Sequence, residues 1–203
     1  MRPLAKLTTL LTRFPMTSGI VLPIIVAAFT YISYQLMTQE INQRDHLGRT
    51  ELFRAVEEGN SEKITSLINR GADLNSSDNC GWSPLMKAAS LGNMSALKQL
   101  NEAGADIEHH DESHYTSVMI AVVSRQTEAL AYLLSHSAQV NHQDTLGWTA
   151  LIWAAKQNDS QAVELLMNYG ADPLLTDNKG QNAIHWAALE GNQSIVMLLG
   201  SKL

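Results

Sequence analysis

Leu52, Leu85, Val118, Leu151 and Ile184 recur at one constant interval of thirty-three positions, and polar positions keep the same interval, as Asp45, Asp78, Asp111, Asp144 and Asp177 show. Self-similarity at a fixed period of about 20–50 residues marks an array of units, each of which buries its apolar face only against its neighbours. Inside a unit the apolar residues fall into two groups. In the third unit Val118, Ala121 and Val122 precede Leu130, Leu133 and Leu134, the spacing of two amphipathic helices. A different pattern precedes the array. Phe14 to Gln39 carries no charge, and Gly19–Met37 is mostly apolar over nineteen residues. As a helix this stretch reaches about 28 Å, close to the hydrocarbon thickness of a bilayer. Tyr31 and Tyr34 lie toward one end of it, where amphipathic rings favour the interface.

The expected layout is a basic segment over 1–15, a transmembrane helix or signal anchor over 16–37, a short tether over 38–44 and the repeats over 45–203. Two fates of the leading segment remain open. The length of the apolar region favours an uncleaved anchor; cleavage after Val26-Ala27-Ala28 would make it a signal peptide. Residues 1–44 hold Arg2, Lys6, Arg13 and Arg44 against Glu40, a net +3, whereas 45–203 hold the other ten basic residues against nineteen acidic ones, a net −9. Basic residues ahead of the span keep the amino terminus cytosolic and export the repeats. In a bacterium with two membranes the repeats are then periplasmic. An acidic array without a basic face excludes nucleic acid as the expected partner. One cysteine, Cys80, excludes an intramolecular disulfide framework.

The period is joined by glycines in register at Gly48, Gly81, Gly147 and Gly180, by Ala88-Ala89, Ala154-Ala155 and Ala187-Ala188, and by Gly-Ala-Asp at 71–73, 104–106 and 170–172. On these residues the chain resembles the ankyrin repeat family from Asp45 onward. The resemblance implies an all-α solenoid of about five helix-turn-helix repeats, over 45–77, 78–110, 111–143, 144–176 and 177–203, preceded here by one transmembrane helix. It also implies a partner protein held on the concave face and hairpin tips, with no cofactor and no small-molecule substrate. His185 fills the family's Thr-Pro-Leu-His slot, where the ring bonds backbone of neighbouring repeats. Thr50-Glu51-Leu52-Phe53 departs from that motif, as does Lys63 at an inner apolar position; both read as capping. The third repeat departs most, with His114, Arg125 and Ser137 at glycine positions, so its turns are expected to be strained or rearranged. Met197 stands where the fourth repeat has Glu164, leaving the last repeat less polar than a cap.

The residue after each hairpin glycine position is informative for binding: Arg49, Trp82, Tyr115, Trp148 and Gln181. Three aromatics in successive repeats would stand about 8–10 Å apart, and exposed rigid aromatics anchor interfaces. The competing reading is that each ring packs over its neighbouring hairpin. Leu47, Cys80 and Leu146 extend the apolar stripe, and the expected contact set is Trp82, Tyr115, Trp148, Leu47, Leu146 and Arg49. Trp153 and Trp186 read as packing residues of the first helices. Five of seven histidines lie between His109 and His142. With Asp111 and Glu112 they offer ligands for zinc or copper, but no helical i, i+4 pairing supports a metal centre, and none is assigned. No phosphate loop or nucleophile elbow points to catalysis. The sequence therefore reads as a non-catalytic binding module, against a metal-handling protein using the histidines or a structural spacer.

Overall fold

The computed structural model describes residues 21–201. The expectations for Arg2, Lys6, Arg13 and the segment 1–15 lie outside the described residues. The chain divides into two compact units between Glu40 and Ile41. A helix α1 (Val21–Ile41) makes up the described part of the first unit and ends on the first residue of the second. Among the described residues no helix is long and apolar enough to cross a membrane. The span expected over 19–37 begins on two residues outside them.

The second unit is a series of helix pairs. The first helices are α2 (Glu51–Glu57), α4 (Pro84–Leu91), α6 (Ser117–Val123), α8 (Ala150–Lys156) and α10 (Ala183–Leu189). Their partners are α3 (Ser61–Asn69), α5 (Met94–Glu102), α7 (Thr127–Ser135), α9 (Ser160–Asn168) and α11 (Gln193–Gly200). Each helix starts one repeat interval after its counterpart. First helices touch one another in series, second helices do the same, and each pair packs together.

The starts follow from capping. Thr50, Ser83, Thr116, Thr149 and Asn182 each accept the backbone N–H three residues on, at Phe53, Met86, Met119, Ile152 and His185. That satisfies one of the free donors of each first turn. Behind the caps Ala55, Ala88, Ala121, Ala154 and Ala187 are all 0% exposed; a methyl group at this register lets neighbouring helices approach. Leu52, Leu85, Val118 and Leu151 are buried between them, each contributing about 1.5–3 kcal/mol relative to exposure. Ile184, in the same register, is only partly buried, because no described helix pair covers its far side.

The third repeat keeps its turns rather than rearranging them. His114, Arg125 and Ser137 adopt φ of 63°, 56° and 65°, the left-handed backbone of the glycines they replace. A side chain there costs about 1 kcal/mol or more. Arg125 gains a return: its Nη2 donates to the Gln157 carbonyl at 2.6 Å. Where glycine remains at the hairpin, the next repeat comes close, and a Cβ on Gly147 would lie 2.8 Å from the Asn178 nitrogen.

Ile41 and Asn42, expected in the tether, belong to the repeat unit. Ile41 is 3% exposed within the core, and Asn42 Oδ1 accepts the Asp73 N–H at 2.9 Å. The same bond recurs one repeat on each time, from Asp106 to Asn75, Gln139 to Glu108 and Asp172 to Asn141. Asn42 thus opens a polar ladder that runs through four repeats.

Candidate partner-binding surface

Five aspartates set the hairpins. Oδ1 of Asp45, Asp78, Asp111, Asp144 and Asp177 each accepts two backbone N–H groups, two and four residues on, at 2.8–3.0 Å. Hairpins are then tied to one another. Asn79 donates its backbone N–H to the Leu47 carbonyl, and Asn178 does the same to Leu146. Their side-chain amides reach the His46 and Thr145 carbonyls. Leu47 and Leu146 are therefore held on fixed backbone, and their side chains are 45% and 56% exposed.

The row of three exposed rings expected from the sequence is not what the structure builds. Trp148 is 7% exposed and belongs to the core. Its ring lies 4.5 Å from that of Trp153 and 4.6 Å from that of Trp186. Lys156 spans two of these rings, its Nζ 4.9 Å from the Trp148 centroid and 5.1 Å from that of Trp186, within cation–π range. Tyr115, half-buried, joins at 5.7 Å from Trp153. Trp153 and Trp186 thus do pack, as read, but in one cluster that takes Trp148 inside. The burial of Trp148 depends on these two partners, and neither occupies its position in the repeat register.

The polar edges of the cluster are satisfied by the hairpins. Trp153 Nε1 donates to Asp144 Oδ2 at 3.2 Å, and Trp186 Nε1 to Asp177 Oδ2 at 3.0 Å. The signal legible in the sequence is a tryptophan nine residues after a hairpin aspartate. Burial works to raise the Asp177 carboxyl, but the Gln181 and Lys179 amides and the Trp186 and Trp148 side chains outweigh it and hold it below the ordinary range. Burial, helped by the Asp144 and Asp111 charges, pushes the Tyr115 hydroxyl up to about 12; it remains a neutral phenol.

Trp82 stands apart and half-buried, with Lys87 Nζ 5.9 Å from its centroid. Lys87 also pairs with Glu57 at 3.1 Å. Arg49 bridges Asp45 and Glu57, both at 2.9 Å. Desolvation opposes ionisation of Asp45, yet hydrogen bonds from the Arg49 and Leu47 amides and the Arg49 guanidinium bring it down to about 2. Arg49 is consequently engaged within its own repeat.

The histidines divide. The ring nitrogen Nε2 of His109 meets the Gly81 carbonyl at 3.0 Å, and that of His142 meets the His114 carbonyl at 3.1 Å, so both brace hairpins. His185 does not bond neighbouring backbone; it is exposed and its ring meets the Gln181 side chain, because no described repeat stands beyond it. Among the described residues no group of three or more His, Cys, Asp or Glu is placed to hold a metal ion. Cys80 is free and exposed at the second hairpin.

A family model described as ankyrin repeats (3 copies) matches residues 52–144 and 118–202. No curated protein matches the chain. The helix pairs, their caps and the aspartate-pinned hairpins follow the arrangement that the match implies, and over these residues the chain belongs to the ankyrin repeat family.

Proposed function

We propose that this chain is a non-catalytic protein-interaction module, held at a membrane through residues 19–37, that takes a partner protein on its hairpin tips and the adjoining face of the first helices. The observation that carries the reading is Leu47 and Leu146: large apolar side chains, roughly half exposed, on tips pinned by aspartate and by the next hairpin. Apolar groups on a preorganised backbone lose little entropy on binding. Trp82 and Tyr115 stand at the inner ends of the two intervening hairpins, and the partly exposed rings of Trp153 and Trp186 lie on α8 and α10. The ionisable groups whose proton affinity departs from the ordinary, Asp45, Arg49, Tyr115 and Asp177, are all explained by hairpin bonding or burial, which supports binding rather than catalysis.

The membrane part of the proposal rests on the uncharged run from Phe14 to Gln39 and on Arg2, Lys6 and Arg13 ahead of it. That charge asymmetry favours repeats outside the cytosol, in the periplasm of a two-membrane bacterium. Resistance of the full chain to alkaline extraction from membranes tests the anchor, and release would refute it.

Capture of the partner from crosslinked cells, followed by binding measurements on variants, tests the surface. Leu47→Ser with Leu146→Ser is expected to leave the unfolding midpoint in place and weaken binding about thirtyfold, the loss of an anchor worth about 2 kcal/mol. Trp148→Ala is expected instead to cost about 3–5 kcal/mol of stability. Unchanged capture by the leucine variant would place the contact elsewhere.

A further inference from the structure

We propose that the carboxy-terminal ends of α6, α8 and α10 form a seat for an amphipathic helix of the partner protein, one that carries a carboxylate between two apolar residues each a heptad away. This names the chemistry of the partner in the binding reading above and rests on that reading. Val123, Lys156 and Leu189 are the last residues of the three helices, in strict repeat register, and the helices pack against one another in series. Val123 is 37% exposed and Leu189 63%, so an apolar side chain open to solvent stands on either side of a cation. On α8 and α10 the partly buried rings of Trp153 and Trp186 add apolar surface. Their Nε1 groups already donate to Asp144 and Asp177, which leaves ring carbon to face a partner.

Lys156 sets the charge that the seat accepts. Its ammonium is held 4.9 Å from the Trp148 centroid and 5.1 Å from that of Trp186. Among the described residues its one ion pair, with Glu190, is stretched to 4.0 Å. The cations of the first two repeats are held more closely, Arg49 at 2.9 Å from both Asp45 and Glu57, Lys87 at 3.1 Å from Glu57 and Arg54 at 3.7 Å from Asp45. A positioned, weakly paired ammonium flanked by apolar side chains selects a carboxylate that arrives with apolar neighbours. Of the acidic residues in the repeats, Glu62, Glu102, Glu128 and Glu164 stand on the second helices rather than on this row. The spacing selects the form of the partner. Packed helices lie about 8–10 Å apart, and a helix rises about 10.5 Å over seven residues while returning them to nearly the same face. Positions i, i+7 and i+14 of a partner helix therefore meet Val123, Lys156 and Leu189 in turn. An extended strand does not fit, because its same-face residues recur about 6.6–6.8 Å apart and the residue about 10 Å on points the opposite way.

A fluorescent helical peptide of about three heptads, with leucine at i and i+14, glutamate at i+7 and alanine and glutamine elsewhere, probes the seat by anisotropy against the full-length chain in neutral detergent. Glutamate at i+7 is expected to bind about fivefold more tightly than glutamine, the upper end for an exposed ion pair. Lys156→Met, which keeps an unbranched stem over the rings, should erase that preference, and Lys156→Glu should turn it into a preference for lysine at i+7. No saturable binding, equal binding when the glutamate is moved two positions along the peptide, or an unchanged preference in Lys156→Met would each overturn the proposal. Capture of the cellular partner that is lost with Leu47→Ser and Leu146→Ser but unaltered by Lys156→Glu would also overturn it, while leaving the binding reading in place.

Discussion

Ser137 and Arg125 occupy the same kind of backbone, with φ of 65° and 56°, and differ in what their side chains gain from it. Among the described residues Ser137 has no side-chain hydrogen bond, whereas Arg125 reaches the Gln157 carbonyl. Ser137→Gly is therefore expected to stabilise the stack by about 0.5–1 kcal/mol, strain relief outweighing the entropy of the unfolded glycine. Arg125→Gly should gain less or lose, since it also removes a charged donor; denaturant midpoints of the two variants check the order. Asp45 illustrates the same dependence on local partners. Its carboxyl is held at about 2, below that of the unfolded chain near 3.9. A depressed carboxylate contributes stability that is fully present above the unfolded value and is lost as pH falls through the folded one. Asp45→Asn should therefore flatten the fall in stability between about pH 4 and 2, most visibly at the first hairpin. An unchanged acid limb would show that the Arg49 pair contributes nothing there.

At the scale of helices and hairpins, the period makes the architecture legible in the sequence. Helix starts at 51, 84, 117, 150 and 183 keep the interval of Leu52 and its counterparts, because one capped turn precedes each first helix. The third repeat's turns are less legible. A glycine position filled by histidine or arginine suggests a changed turn, yet the flanking helices over-determine the backbone and hold it left-handed. The exposed apolar surface is legible at Leu47 and Leu146, whose exposure follows from the hairpin register alone. It is not legible at Trp148. That ring is enclosed by Trp153 from its own first helix, Trp186 from the next and Lys156 above, and such cross-register packing leaves no trace when the repeats are aligned with one another. Nor does a tether over 38–44 hint at the burial of Ile41; the clue is Asn42, which stands one repeat interval before Asn75.

Across the whole repeat unit the two flanks are covered unequally. Before the first repeat, Ile41 is 3% exposed and Asn42 satisfies the Asp73 amide. At the last described repeat Leu189 and Met197 are each 63% exposed, and at the end of the fourth Leu174, at the ladder position of the asparagines, is 62% exposed. The stability of a stacked array is close to a sum of repeat terms and nearest-neighbour interfaces. A repeat with one interface opens before a repeat with two, and Ile41 with Asn42 supplies the first repeat with part of a second. Backbone amides of α10 and α11 are thus expected to exchange ahead of those of α2 and α3. Ile41→Ala should narrow that difference by removing the cover, at a cost of about 2 kcal/mol or more, with its loss of protection concentrated in the first repeat and fading along the stack. Met197→Lys, at an exposed site, should stay within about 0.5 kcal/mol of the starting stability. If α2 and α3 exchange as fast as α10 and α11, and Ile41→Ala changes neither, Ile41 and Asn42 do not cap the stack and the unequal flanks have no energetic meaning.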